Sequence, residues 1–289
     1  MVIIDFGIGF LIVMALIWIV FATVQDIKHR EVANWLNFSL IIFALAFRFF
    51  YSLFHLDSFG FFYQGLIGFG IFLVLGNLFY YMRLFAGGDA KLFIALGAVL
   101  PFSTVFMTNI RFLFSYIILL LVVGSVYGFI YGSVLAVIHR EKFAKRFKKE
   151  FMSSKKLYLL FLVFAVFWSV FVLVIGEFLF LIVGIIFFLF PLMYDYARAL
   201  ENAALLNEVP VKKLSEGDWL NVGVKVGKKF IRPNWEGLQK DEIKSLQNSR
   251  IKKVWIKQGI PFVPAFLISF AVLILFYLWN FDLLFWFFR

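Results

Sequence analysis

The sequence has no cysteine and only three histidines, His29, His55 and His139, among its 289 residues. The absence of cysteine excludes disulfide bonds, thiolate nucleophiles and metal sites with cysteine ligands. No His-Glu-x-x-His string occurs, so the helical zinc motif is also missing. The histidines lie in loops or at the ends of apolar runs, which argues against a serine nucleophile with a histidine base at Ser125 or Ser133. We expect no metal and no cofactor.

Charged residues are scarce as well, at 16% of the chain, whereas hydrophobic residues make up 63% and include 43 phenylalanines. Soluble domains contain about 45–50% apolar residues. A membrane helix needs about 20 mostly apolar residues. The pattern therefore predicts an all-α polytopic membrane protein of about eight transmembrane helices. The predicted spans lie near 7–24, 35–54, 60–82, 90–107, 112–138, 157–175, 178–194 and 260–280.

The stretch 157–194 is too long for one crossing at about 1.5 Å per residue, and we divide it by a hairpin at Gly176 and Glu177. A single tilted span with an interfacial extension is the alternative. With eight spans, 25 of the 28 lysines and arginines fall on one side, which the positive-inside rule makes cytoplasmic. Only Arg48, Arg111 and Arg289 remain outside that set. Both termini are then external to the cell membrane.

Residues 195–259 are the one long polar segment, and they precede the last span. Alternation in 221–230 and the run 251–256 predict strands, and 236–249 predicts a short helix. The predicted organisation is a membrane region at 1–194, a small mixed α/β cytoplasmic insert at 195–259, and a final helix with the C-terminus at 260–289.

A second basic segment, 139–156, carries Phe143, Phe147 and Phe151 at helical spacing. Such a stripe is typical of a helix lying on anionic lipid. We favour this anchoring role over a contact with substrate.

Two aspartates, Asp26 and Asp89, lie at the edges of apolar runs on the predicted cytoplasmic side. Ionisable groups near hydrocarbon are costly, so two of them at one depth indicate a functional site. The alternatives to a functional site are that one aspartate caps a helix and that the other is a solvated loop residue. Two neighbouring carboxyls can share a proton, so that one acts as an acid and the other as a base.

The strings around these residues are Gln25-Asp26-Ile-Lys-His-Arg30 and Phe85-Ala-Gly-Gly-Asp89-Ala-Lys91, followed much later by Gly259-Ile-Pro-Phe-Val-Pro-Ala-Phe266. In this order they resemble the type IV prepilin peptidase family of membrane aspartyl proteases, especially its archaeal preflagellin peptidase branch. The resemblance implies an aspartic endopeptidase with Asp26 and Asp89 as catalytic residues. Its substrates would be pilin-like or archaeal flagellin precursors, cut behind a short basic leader at the cytoplasmic face. The expected partners are these precursors and membrane lipid, and no nucleic acid.

One position departs from the family motif, because Ala86 stands where the family has its first glycine. Alanine is tolerated there unless the backbone needs a positive φ. Gly87 and Gly88 would let a substrate backbone approach the acid closely. Lys91 and Arg30 either tune the acids, hold substrate or reach the lipid interface, with the last role slightly favoured. Asn34 is either a helix cap or a backbone clamp.

Helix direction suggests an order for the pair. Asp89 lies at the start of a helix and Asp26 at the end of one. The helix dipole favours an anion at the start of a helix, and therefore at Asp89, by about 0.3–1 kcal/mol. We therefore expect Asp89 to be the base and Asp26 the protonated acid. Two rival functions remain: a proton- or cation-coupled transporter, and a non-catalytic scaffold for filament assembly.

Overall fold

The computed structural model describes residues 5–55, 59–176, 180–227, 229–249, 251–279 and 281. These residues form ten α-helices and five short strands. The helices are α1 (Phe6–His29), α2 (Asn34–His55), α3 (Gly60–Tyr81), α4 (Gly87–Val99), α5 (Phe106–Ile138), α6 (Arg140–Ser153), α7 (Lys155–Ile175), α8 (Leu181–Leu200), α9 (Lys240–Gln247) and α10 (Val263–Leu278). The strands are β1 (Leu206–Pro210), β2 (Trp219–Leu220), β3 (Val224–Val226), β4 (Lys229–Ile231) and β5 (Lys253–Lys257).

Six of the described helices are long and apolar enough to cross a membrane, namely α1, α2, α3, α5, α7 and α8 with its extension to Leu205. They support a multi-pass membrane protein. The helices α4 and α10 have 13 and 16 residues and are too short to meet the same length. The structure therefore supports six spans, and the predicted total of eight stays a prediction.

The predicted span at 90–107 is corrected, because its helix ends at Val99 and α5 starts only at Phe106. Pro101 follows closely and has no backbone N–H with which to continue the helical hydrogen bonds. The guanidinium of Arg48 also caps this end of the helix. It donates hydrogen bonds to the backbone oxygens of Ala98, Val99 and Pro101, and to that of Phe61. Sequence hydropathy did not indicate this capping of α4 by a buried arginine.

The chain divides into two compact units. The first contains α1 to α4, most of α5 (up to Phe129), and α10. Its core is built around α4, which packs against α3 and α2 and contacts α1, while α1 packs along α10. Close approach of α3 and α4 depends on glycine, because a Cβ at Gly68 would clash with the backbone of Gly97.

The second unit begins at Ile130 and ends at Gly259. Gly176, with a φ of 82°, ends α7, and α8 starts at Leu181, so 157–194 contains two helices that pack together. Glu177, the other half of the predicted hairpin turn, lies outside the described residues. α8 continues into a π-helical turn (Glu201–Leu205), so the polar insert starts later than the predicted boundary at residue 195.

The insert is mixed α/β, as its sequence pattern predicts. β5 is the middle strand of an antiparallel sheet with order β1-β5-β2, and α9 packs its Ile243 and Leu246 into the same core as Val254 and Ile256. The prediction of a single strand over 221–230 is wrong. This segment forms the hairpin β3–β4, because the chain reverses at Gly227, where φ is 60°.

Candidate active site

Asp26 lies in the last turn of α1, and its side chain is 5% exposed. The helix ends at Arg30, which adopts a left-handed conformation with a φ of 58° and donates its N–H to the Asp26 carbonyl over 2.8 Å. This closing turn holds the backbone of Asp26. Its side chain is held separately, because the carboxylate accepts a hydrogen bond of 2.9 Å from the backbone N–H of Val263.

Val263 is the first residue of α10. The N-terminus of a helix carries a partial positive charge and unpaired N–H groups, and both stabilise a carboxylate. The string 259–266 therefore reaches the candidate site directly, although it lies 237 residues after Asp26. α10 thus adds a third helix terminus to the candidate site, beside those of α1 and α4.

Asp89 is the third residue of α4 and is half-buried. It lies outside the six long spans. Burial and, to a smaller extent, the nearby Asp26 charge raise the pKa of the Asp89 carboxyl; with the opposing effect of a hydrogen bond from the Ala86 backbone, the pKa is about 7. The fold thus brings both predicted acids close enough to influence each other's ionisation.

The backbone at Ala86 has φ −69° and ψ 163°, an extended conformation that alanine adopts freely. The departure from the family motif therefore introduces no backbone strain. Gly87 and Gly88 are also without positive φ. A Cβ at Gly88 would lie 3.4 Å from the Val32 nitrogen, and one at Gly87 would lie 3.8 Å from the Tyr80 ring, both ordinary contacts. The two glycines are thus not required by backbone geometry or by packing inside the protein.

The supporting residues predicted from the sequence are brought to the same end of the unit. Lys91 donates a hydrogen bond of 2.7 Å to the side-chain oxygen of Asn34, which joins α4 to the start of α2. The Gln25 side chain accepts from the Ala33 N–H over 3.2 Å and so holds the loop between α1 and α2. Lys91 and Asn34 therefore hold this end of the unit together, whatever else they bind.

Phe85 and Val263 contribute to the site although the sequence patterns did not single them out. The Phe85 ring lies 5.6 Å from that of Phe93, 6.0 Å from Phe262 and 5.8 Å from Phe266, measured between centroids. It thereby anchors the start of the Ala-Gly-Gly-Asp string between α4 and α10. The position of a phenylalanine immediately before that string could have indicated this anchoring role. With 43 phenylalanines in the chain, however, a single one does not stand out.

Both acids lie within the part of the chain that has recognisable relatives. Residues 10–138 match the type IV leader peptidase family. No curated protein matches the chain. The matched segment includes Asp26, Asp89 and all five supporting residues, and it supports a leader peptidase-like function in a multi-pass membrane protein. The match covers less than half of the chain and leaves the insert and α10 without a counterpart.

Proposed function

We propose that the protein is an aspartic endopeptidase of the membrane that removes the short basic leader of type IV pilin-like or archaeal flagellin precursors. The observation that carries this proposal is the juxtaposition of Asp26 and Asp89 inside the segment matching leader peptidases. In the same proposal the two acids face the cytoplasm, as the distribution of lysine and arginine predicts. Both chain termini are then external.

The proposed reaction is a hydrolysis with one ionised and one protonated carboxyl. The ionised carboxylate takes a proton from a water molecule while the water oxygen attacks the carbonyl carbon of the scissile peptide. The protonated carboxyl gives its proton to the carbonyl oxygen, which produces a gem-diol. Transfer of a proton to the amide nitrogen then lets the C–N bond break, and the products are a new carboxyl group and a new amine.

The contacts of the two acids favour Asp26 as the ionised base and Asp89 as the protonated acid. The N–H of Val263 at the start of α10 donates to Asp26, and such a bond stabilises the anion. Asp89 retains its proton up to a pH of about 7 because of burial and of the Asp26 charge. This order is opposite to the one that the directions of α1 and α4 alone suggest.

The contacts of Arg48 argue against the transporter alternative. Charges deep in a span commonly mark an ion pathway, and Arg48 is the charge deepest in the predicted spans. Its guanidinium is fully buried and donates to four backbone carbonyls at the end of α4 and near it. These contacts give it a structural role.

The test is cleavage of a purified prepilin or preflagellin by the full-length protein in detergent. We expect the wild-type protein to cut, and both Asp26→Asn and Asp89→Asn to lose at least about a thousandfold in rate, as expected when one member of a catalytic unit is removed. Asp5→Asn is the matched control, because Asp5 caps the other end of α1 and asparagine caps equally well. Uncut precursor with the wild-type protein would refute the peptidase, and cutting by both variants would refute the acid pair.

A further inference from the structure

The basic helix α6 lies directly between two candidate membrane spans. His139 alone separates it from α5, and Ser154 alone separates it from α7. Both α5 and α7 are candidate membrane spans. α7 has 21 residues, about the length of one crossing, so a crossing by α7 brings the end of α6 next to the lipid headgroups.

The phenylalanine stripe of α6 packs partly on neighbouring helices, although Phe151 is still 43% exposed. The Phe143 ring contacts Tyr196 of α8 at 5.5 Å between centroids, and Phe151 contacts Tyr158 of α7 at 4.9 Å. Phe143 and Phe147 are only partly exposed. The stripe is therefore the face by which α6 is attached to its neighbours.

Polar contacts fix the same orientation near the end of the helix. Asp195 of α8 is completely buried and accepts hydrogen bonds of 2.8 Å from the Ser154 hydroxyl and 3.0 Å from the Tyr158 hydroxyl. One turn further along α8, Arg198 pairs with Glu150 at 3.5 Å. α6 thus cannot turn about its axis without breaking these contacts.

The face opposite the phenylalanines carries five exposed cations, Lys142, Lys145, Arg146, Lys148 and Lys149. At 3.6 residues per turn they lie on the side away from the phenylalanine stripe. Among the described residues none of the five forms an ion pair with a carboxylate. Lys155 and Lys156 follow at the start of α7 and are also exposed.

We propose that this basic face of α6 is a binding surface for anionic phospholipid headgroups. The helix is tied at both ends to candidate spans, its cations form no ion pair within the part of the chain that the structure describes, and clustered cations beside a membrane helix attract anionic lipid. A basic leader peptide would be repelled by the same charges. The surface is thus distinct from the site that contains Asp26 and Asp89, and the inference does not depend on the proposed peptidase activity.

The test compares the association of spin-labelled phosphatidylglycerol and phosphatidylcholine with the full-length protein in vesicles. We expect the wild-type preference for phosphatidylglycerol to fall about tenfold in Lys145→Gln/Arg146→Gln/Lys149→Gln. The matched control is Lys212→Gln/Lys213→Gln/Lys225→Gln, which removes the same charge from exposed lysines of the α/β insert and should keep the preference. Glutamine is nearly as good a helix former as lysine, so α6 should persist.

The wild-type protein supplies a second measurement that needs no variant. Raising the salt concentration from 0.05 to about 1 M should abolish its preference for phosphatidylglycerol, because the Debye length falls to about 3 Å. An unchanged preference in the α6 variant, an equal loss in the control variant, or a preference that persists in high salt would each overturn the proposal. An acidic protein partner would then be the remaining occupant for this face.

Discussion

The backbone N–H of Val263 donates a 2.9 Å hydrogen bond to the buried carboxylate of Asp26. This contact joins the start of the last helix to the end of the first one, and it supplies the candidate site with a positive helix terminus. Asp26 is therefore subject to two opposing helix ends, that of α1 to which it belongs and that of α10 which it faces. The start of α10 makes a direct hydrogen bond to its side chain.

Replacement of Val263 by proline should test this contact, because proline lacks an N–H. A hydrogen bond to a charged group contributes about 1.5–3 kcal/mol, so cleavage of precursor at neutral pH should fall roughly 10- to 100-fold. The acidic limb of the pH profile should move to higher pH as Asp26 loses the stabilisation of its anion. Rates measured between pH 4 and 9 would show both effects.

Val263→Ala keeps the N–H and serves as the control, with an expected change in rate of less than about threefold. A thermal midpoint measured in the same detergent would separate loss of the hydrogen bond from loss of the fold. Equal rates for the proline and alanine variants would show that the bond from Val263 does not set the ionisation of Asp26.

The raised pKa of Asp89 predicts an alkaline limit to activity. The proposed mechanism needs Asp89 protonated, and its pKa is about 7. The cleavage rate should therefore decline as the pH rises through 7 and fall about tenfold for each further pH unit. A rate that stays constant from pH 7 to pH 9 would contradict the role of Asp89 as the acid.

The same proton affects stability, with a defined sign. In the unfolded chain the pKa of an aspartate is about 3.9, below the value in the folded protein. The stabilisation from this proton is fully present below about pH 4 and is lost as the pH rises to about 7. The thermal midpoint of the wild-type protein relative to Asp89→Asn should fall across that window and then level off.

Arg48 is predicted to be indispensable for stability. Replacement by methionine would leave the carbonyls of Ala98, Val99, Phe61 and Pro101 without this donor. Each unpaired buried carbonyl costs about 1–3 kcal/mol, so the variant should lose more than about 3 kcal/mol. Thermal unfolding in detergent and the yield of folded protein would measure this. Arg232→Met, at an exposed position of the α/β insert, should change stability by less than about 0.5 kcal/mol.

Sequence patterns single out the two proposed catalytic acids but not the groups that contact them. Asp26 and Asp89 stand out because an ionisable group beside an apolar run is conspicuous in any single sequence. The Val263 donor is a backbone group, so no residue type marks it. Arg48 is a visible charge, but its carbonyl partners depend on how α2, α3 and α4 pack. Hydropathy likewise overestimated the length of α4, because apolar residues continue to Phe102 although the helix ends at Val99.

Gly88 provides a test of substrate approach that does not depend on the pKa values. Neither its φ nor its surroundings require glycine, since a Cβ would lie 3.4 Å from the Val32 nitrogen and make an ordinary contact. Alanine is the better helix former, so Gly88→Ala should keep or raise the thermal midpoint, by up to about 1 kcal/mol in stability. In the proposed site a precursor backbone passes over this position, and an added methyl group should lower the cleavage rate at least tenfold.

Gly70→Ala is the matched control, because Gly70 lies within α3 and a Cβ there would meet no atom within 4 Å. It should gain similar stability and keep full activity. If Gly88→Ala also keeps full activity, the precursor does not approach Asp89 across this glycine. If instead Gly88→Ala loses stability as well as activity, the loop containing Val32 is packed more tightly than its contacts indicate. The stability and the rate together therefore separate a substrate contact from a packing defect at the start of α4.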